Sequence, residues 1–424
     1  MRKLSDIKID IPKFPKLIIS TLEDAGFEAY IVGGCVRDYL LNKNPDDFDI
    51  TTNASPLEVK KLFKRTIDTG IKHGTVSVLF YENDKPYTYE VTTFRIDGEY
   101  VDGRHPKDVR FVNDLKEDLL RRDFTVNAMA YNDKKGLVDE FGGLVDLDKK
   151  IIRAVGNPTE RFTEDALRLM RAVRFSAKLG FDIDEDTKDA IPPLAKNLAM
   201  VSKERVQVEL TKTITSANPE FVSLYFDLGL AKYIATNFEN VKVGKFKVNL
   251  SPYMAYACLL YNEDKMVANQ ILRELKFDNN NIYKVTALLD AKRYLKRTDI
   301  NIAVKELVND LKYDLAYDFV ELIDINGEDK KLVLKIKKLL NKYKGEKTPI
   351  FIGDLKIDGN ELMSIGFKGQ EVGVALTSLQ RIIFKKPLLN DKKLLKEMSK
   401  KAYNVYKEKK FEEDDINGGN VYEL

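Results

Sequence analysis

Residues 30–52 read YIVGGCVRDYLLNKNPDDFDITT, and the rest of the chain is best understood from this stretch outward. An apolar strand, Ala29–Val32, runs into the pair Gly33-Gly34. A short amphipathic helix is expected over Val36–Leu41, with Arg37 and Asp38 near its start. A polar turn, Asn42–Pro45, then leads into a second strand carrying Asp47 and Asp49. Side chains two apart on a strand project from one face, so these carboxylates point together. Like charges that close repel unless a cation lies between them, and hard oxygen ligands suit Mg²⁺. Paired glycines ahead of a helix let backbone N–H groups approach a phosphate. Each part alone has an ordinary explanation: a turn for Gly-Gly, a solvated surface for Asp-x-Asp. Their combination in one short stretch points to phosphate-transfer chemistry.

The whole chain sets bounds on that reading. At 424 residues it exceeds one typical core, so two to four domains are expected. Charged residues make up 32% of the sequence, yet the net charge is only +3. Two distant cysteines, Cys35 and Cys258, supply neither a disulfide framework nor a zinc pattern, as expected in a reducing cytosol. No run approaches the ~18 apolar residues of a membrane span, and no cleavable leader is evident, so a cytoplasmic location is expected.

In chain order, residues 13–26 read as an amphipathic helix. Ser55 is an N-cap candidate, with Pro56 opening a helix to Lys64. A loop is expected over Asp68–Gly74. Strands are expected over Thr75–Tyr81 and Tyr87–Arg95, joined by a turn at Glu82–Lys85, so an antiparallel sheet grows beside the Asp-x-Asp strand. Glu90 on the returning strand is either a third metal-site carboxylate or a solvent-facing acid. The segment 97–106, DGEYVDGRHP, reads as a mobile loop or a hairpin linker. Residues 121–130, RRDFTVNAMA, gather Arg121, Arg122, Asp123 and Asn127 just before an apolar strand end. Such groups suit phosphates and ribose, though a salt-bridged helix end would have the same composition. Residues 136–156 read as short strands with glycine turns. Thr163 is expected to cap a helix with Glu164 and Asp165 in its first turn. Asp165 and Arg168 are then neighbours on one face, with Arg171 close by, and the ordinary alternative is a surface ion pair.

These groupings together resemble the class II tRNA nucleotidyltransferases, the polymerase β-like family of CCA-adding enzymes and bacterial poly(A) polymerases. The family's GGxVRD and DxD appear as Gly33-Gly34-Cys35-Val36-Arg37-Asp38 and Asp47-Phe48-Asp49. Its RRDFTxNA motif appears from Arg121 to Ala128, and its EDxxR motif as Glu164-Asp165 with Arg168. The resemblance implies a nucleotide site that includes Gly33, Gly34, Arg37 and Asp38. It also implies that Asp47 and Asp49 hold two Mg²⁺ ions and that Glu90 is a candidate third acid. By the same resemblance Arg122 contacts the triphosphate, Asp123 the ribose and Asn127 the metal-bound phosphates. Asp165 and Arg168, with Arg171 following, become a protein template for the incoming base. The chemistry agrees: C and A both present an amino donor beside a ring-nitrogen acceptor, which one carboxylate and one guanidinium can match. U and G reverse that pattern, and a mispaired polar group in a buried site can be rejected by about 10⁴-fold. The family also assigns a moving loop to 97–106. Ser202–Glu209 resembles a segment that braces the template helix, and residues 353–373 resemble a C-terminal family segment. With two histidines in all, the chain cannot supply the His-Asp phosphohydrolase domain some relatives carry.

From Lys331 to Lys410 there are 20 Lys and Arg against 8 Asp and Glu, a concentrated basic surplus suited to a phosphate backbone. The resemblance implies that it grips the upper half and acceptor end of a tRNA by shape. The expected fold class is an α/β catalytic head with a mixed, mainly antiparallel sheet, followed by all-α neck, body and tail. The expected divisions are 1–155 head, 156–225 neck, 226–325 body and 326–424 tail. The implied function is addition of CCA to the tRNA 3′ end from CTP and ATP, with pyrophosphate released. An A-adding enzyme or a poly(A) polymerase is the alternative, and a non-catalytic RNA-binding protein a remote one. No DNA or membrane partner is expected.

Overall fold

The computed structural model describes residues 4, 7–45, 47–98 and 109–416. The chain forms two compact units: Met1–Asn262 with Asn269–Asn279, and Glu263–Ala268 with Asn280–Leu424. The strands of the first include β1 (Ala29–Val32), β2 (Asp49–Thr52), β3 (Thr66–Gly70), β4 (Thr75–Glu82), β5 (Lys85–Thr93), β6 (Arg95–Asp97), β7 (Val109–Phe111), β8 (Ala130–Asn132) and β9 (Gly136–Val138), with a short parallel pair, Ile151–Ile152 and Asp182–Ile183, further on. Seven of them make one sheet in the order β3-β4-β5-β2-β1-β8-β9, and β6 and β7 pair separately as a ribbon. Neighbours are antiparallel except β2 and β5, which run parallel with Ile50 beside Val91. The sheet is therefore mixed and mainly antiparallel, as the sequence indicates. The pair beside the Asp-x-Asp strand is the exception. The chain leaves β2 through helix and hairpin before β5 returns, and that crossover sets the parallel direction.

Local chemistry explains most elements. Asn83 and Asp84 both adopt positive φ (52° and 60°), the two-residue turn whose twist matches flanking antiparallel strands. Helix α1 (Lys13–Asp24) turns Ile18, Ile19 and Leu22 inward. Helix α2 (Gly34–Leu40) starts two residues earlier than expected, directly on the glycine pair. Helix α3 (Pro56–Leu62) opens with a full capping box between Ser55 and Glu58. The loop expected over Asp68–Gly74 is instead the end of β3 followed by a single 3₁₀ turn, Ile71–His73. The expected mobile loop falls, from residue 99 onward, outside the described residues; Asp97 closes β6. Helix α4 (Leu115–Leu120) lies over the sheet, its Leu115 and Leu119 buried with Tyr30, Val32, Phe94 and Ala130.

Two helices depart from the sequence reading. Helix α5 (Gly143–Lys149) occupies part of a stretch read as strands and turns. Asp139 reaches in from outside the helix to accept the Gly143 and Leu144 N–H groups at 2.7 and 2.9 Å, a cap that local spacing hides. Thr163 does not cap a helix. Asn157 and Pro158 start α6 (Pro158–Glu164) six residues earlier, and Thr163 donates back to Thr159 O. Helix α7 (Leu167–Leu179) starts after a break at Asp165, whose carboxylate accepts the Leu167 N–H at 3.0 Å. Two short helices, α8 (Glu185–Asp189) and α9 (Ile191–Leu194), lead to α10 (Lys203–Ile214), which packs against α7. The second unit is helical: two helices meet at a break at Lys312 (φ 62°) within Ile300–Asn326, and longer helices follow at Lys330–Gly345 and Gln370–Lys385. Ile357, Leu362, Leu379, Ile383 and Leu395 form a core of its own. No helix of the described residues is long and apolar enough to cross a membrane.

Candidate active site

The register of β1 and β2 sets the centre. Val32 pairs with Asp49, so the Gly33-Gly34 turn begins beside the carboxylate. Gly33 sits at φ 80°, and a Cβ there would lie 2.8 Å from Arg122 Nη1. Glycine is needed both for the conformation and for the approach of that guanidinium. Ile50 lies beside Val91, which brings Glu90 next to Asp49 on the opposite face from those two apolar residues. Asp47 and Asp49 remain exposed at the mouth of the strand. Protein packed around Asp49 and the charge of Asp47 push the Asp49 carboxyl above its ordinary value, against the pull of Arg122. Glu90 is raised by its surroundings and by both aspartates, so the three acids feel one another. Burial pushes the Cys35 thiol up to about 11, with the charge of Asp49 adding to it, so it stays protonated and unreactive.

Among the described residues, no three His, Cys, Asp or Glu side chains stand ready as a complete metal centre. Mg²⁺ does not require one: it binds through one or two carboxylates and substrate phosphates, keeping several waters. Asp47 and Asp49 fit it, because a divalent cation would stabilise the charged form of Asp49, which its surroundings and the charge of Asp47 both disfavour.

Behind the carboxylates, the three motifs are joined by a buried chain of hydrogen bonds. Arg37, 3% exposed, donates through Nε to Asp38 Oδ1 at 2.8 Å and through Nη1 to Asn127 Oδ1. Asn127 Nδ2 donates to Asp123 Oδ1 at 3.0 Å. Arg171 donates to Asp123 Oδ2 through Nε at 2.8 Å and Nη2 at 2.5 Å. Arg171 also faces Glu209 at 3.9 Å, and Glu209 faces Arg174 at 2.6 Å. Phe175 lies among the guanidinium groups of Arg37, Arg171 and Arg174, with Arg174 only 3.9 Å from its ring centre. Burial alone would raise the Asp123 carboxyl, but Arg171 and the hydrogen bonds from Asn127 and Arg171 hold it at about 2. Each Asp123 oxygen already has two donors, since Phe124 N–H adds a 2.8 Å bond to Oδ1.

The residues expected to read a base are close in space but not paired with each other. Arg168, 8% exposed, donates to Glu164 Oε2 at 2.5 Å, Arg161 O at 3.0 Å and Arg121 O at 2.8 Å. That uses three of five guanidinium N–H donors. Asp165 pairs with Arg205 of α10, Oδ2 to Nη2 at 2.8 Å. Arg205 lies in the stretch read as a brace, and the contact places it directly on the acid of the template pair.

Sequence reasoning missed Asp118 as well as the role of Arg205. Asp118 is fully buried on α4 and pairs with Arg121 at 2.8 Å and Arg122 at 3.8 Å. Its spacing three and four residues ahead of the paired arginines was a legible signal. Arg205 gave none, because its partner lies 40 residues earlier.

Residues 29–153 match the poly A polymerase head domain, and residues 180–240 the RNA- and SrmB-binding segment of polymerase A. Residues 251–398 match domain 2 of the tRNA nucleotidyltransferases. The CCA-adding enzyme of Leuconostoc mesenteroides is 38% identical over 403 residues, covering 91% of this chain and 96% of that protein. The CCA-adding enzyme of Oceanobacillus iheyensis is 37% identical over 392 residues, 90% and 95% of the two chains. Among solved structures, the Bacillus stearothermophilus CCA-adding enzyme in complex with CTP superposes with a TM-score of 0.76 at 29% identity. That match covers 94% of this chain and all of the other.

Proposed function

The chain belongs to the CCA-adding enzyme family, and from that premise we propose that it adds C, C and A to the 3′ end of tRNA from CTP and ATP. The observation that carries the reading is the convergence of Gly33, Asp49 and Arg122 at one strand end, with Glu90 alongside. In the reaction the tRNA 3′-hydroxyl attacks the α-phosphate, a P–O bond forms, and pyrophosphate leaves. Asp47 and Asp49 would hold Mg²⁺, with Glu90 able to add a third carboxylate. Two such ions, when bound, neutralise charge at the attacking and leaving oxygens. Arg122 offers a half-buried cation to the triphosphate from behind the Gly33-Gly34 turn, where a phosphate can approach the backbone. Arg37, Asp38, Asn127, Asp123 and Arg171 form the wall that holds this geometry rigid. The saturated state of Asp123 supports a positioning part for it in the unliganded protein, with ribose contact requiring one of its donors to yield.

Asp165 and Arg168 read the base in this proposal. Two Arg168 N–H donors and a lone pair on each Asp165 oxygen exceed what their present partners use, enough for the shared edge of C and A. Of the four expected divisions, the head (1–155) carries out transfer, the neck (156–225) selects the base, the body (226–325) is a helical connection, and the basic tail (326–424) holds the tRNA in the cytosol. The test uses purified protein, Mg²⁺, CTP and ATP with tRNA ending at the discriminator base, and separately with tRNA ending in CC. Three nucleotides added to the first substrate are expected. Addition to the CC-ending tRNA alone would assign an A-adding enzyme, and a long A ladder on unrelated RNA a poly(A) polymerase.

A further inference from the structure

Asp118 has no solvent exposure, and no step above uses it. Its Oδ2 accepts from Thr51 Oγ1 at 3.1 Å, two residues along β2 from Asp49. Its Oδ1 accepts from Arg121 Nε at 2.9 Å and from the Arg95 N–H at 3.4 Å, where β6 begins. Arg122 Nη2 stands 3.8 Å from Oδ2. One carboxylate therefore meets the strand of Asp49, the first residue of the β6–β7 ribbon, and both arginines of the second motif. The Arg121 carbonyl in turn receives Arg168 at 2.8 Å.

The charge pattern gives this meeting point a purpose. Burial works against the Arg122 cation, while Asp118 behind it and Asp49 in front support it. Arg122 Nε is buried without a hydrogen-bond partner among the described residues. A guanidinium so placed depends on charge rather than on a saturated set of hydrogen bonds. Taking away one member of a buried charged set leaves the others uncompensated and free to seek new partners.

We propose that Asp118 is a positioning residue for nucleotide binding, fixing Arg122 toward the triphosphate and tying that arginine to the strand of the metal-site carboxylates. The inference rests on Arg122 being a triphosphate ligand, as read above. Asp118 touches no reacting atom. Its part is to set the distance between two groups that do.

The experiment measures equilibrium binding of CTP and of CMP to the full-length protein with Mg²⁺ and no RNA. CMP shares the base, ribose and α-phosphate but lacks the two phosphates assigned to Arg122. Asp118→Asn keeps the volume and the Thr51 bond while removing the charge. It is expected to weaken CTP about tenfold and to change CMP less than about twofold. A parallel loss of both ligands, or no loss of either, overturns the proposal. Thr51→Val leaves every charge in place and removes the hydroxyl that reaches Asp118, along with its 3.3 Å bond to the Thr92 carbonyl, so it stands whether or not the Asn variant folds. It is expected to weaken CTP about threefold with CMP unchanged, and unaltered CTP binding would overturn the link. Arg122→Met separates the two levels of argument. Retained CTP affinity there removes the triphosphate role of Arg122 and the inference with it, whereas loss there without loss in Asp118→Asn removes the inference alone.

Discussion

A side chain at Gly33 would have to push the Arg122 guanidinium aside. The φ of 80° there is already unfavourable for other residues, and the missing Cβ is what Arg122 Nη1 approaches. Gly33→Ala is expected to lower nucleotide incorporation by about tenfold or more, read as a rise in KM for CTP and ATP. Asp123 makes a prediction about pH. Its folded carboxyl titrates at about 2, below its ordinary value of 3.8, so the unfolded chain holds the proton more tightly. The stability it contributes is complete above about pH 5 and is lost as pH falls through 4 toward 2, about 2 kcal/mol in all. Urea unfolding of Asp123→Asn should show a flatter slope over that range than the parent protein. At this scale the sequence was informative where partners are near. The i, i+2 spacing of Asp47 and Asp49 and the glycine pair announced themselves. The saturation of Asp123 could not, because Arg171 arrives from 48 residues away.

Elements carried over unevenly. The β4–β5 hairpin was legible because alternation and a turn signal coincide in one short window. The parallel pairing of β2 with β5 was not, because it depends on a crossover rather than on either strand's own pattern. The break between α6 and α7 was hidden for a similar reason: Asn157-Pro158 starts one helix upstream of Thr163, and Asp165 then caps the next. That break matters to the base selection proposed above. It places Asp165 at the joint and Arg168 in the first turn of α7, each held by a different neighbour, Arg205 and Glu164. Arg168→Ala is expected to blur base choice, with UTP incorporation rising relative to CTP by about tenfold or more in competition assays. An unchanged preference for CTP and ATP over UTP would remove the template role.

For the whole molecule, charge is the distinguishing quantity. The chain is nearly neutral, yet residues 331–410 hold 20 basic against 8 acidic residues. Binding of a tRNA through phosphates releases counterions, so affinity should fall steeply as salt rises from about 50 to 200 mM. The KM for tRNA is expected to climb over that range, while the KM for CTP measured on a short RNA primer moves much less. Equal salt dependence for both would place the tRNA grip elsewhere. The helical second unit was foreseeable from apolar periodicity, but its own core, built around Leu362 and Ile383, was not assignable to particular partners without the fold.

The buried chain from Asp38 through Arg37, Asn127, Asp123 and Arg171 to Glu209 has a bearing on how this molecule can change over time. Its members come from four separate segments of the sequence, and each satisfies the one before it. A hybrid gene taking only one of these segments from a distant cousin would set mismatched polar ends against each other in a largely buried network. The four segments must therefore travel as one inheritance, and any drift in one must be answered in the others.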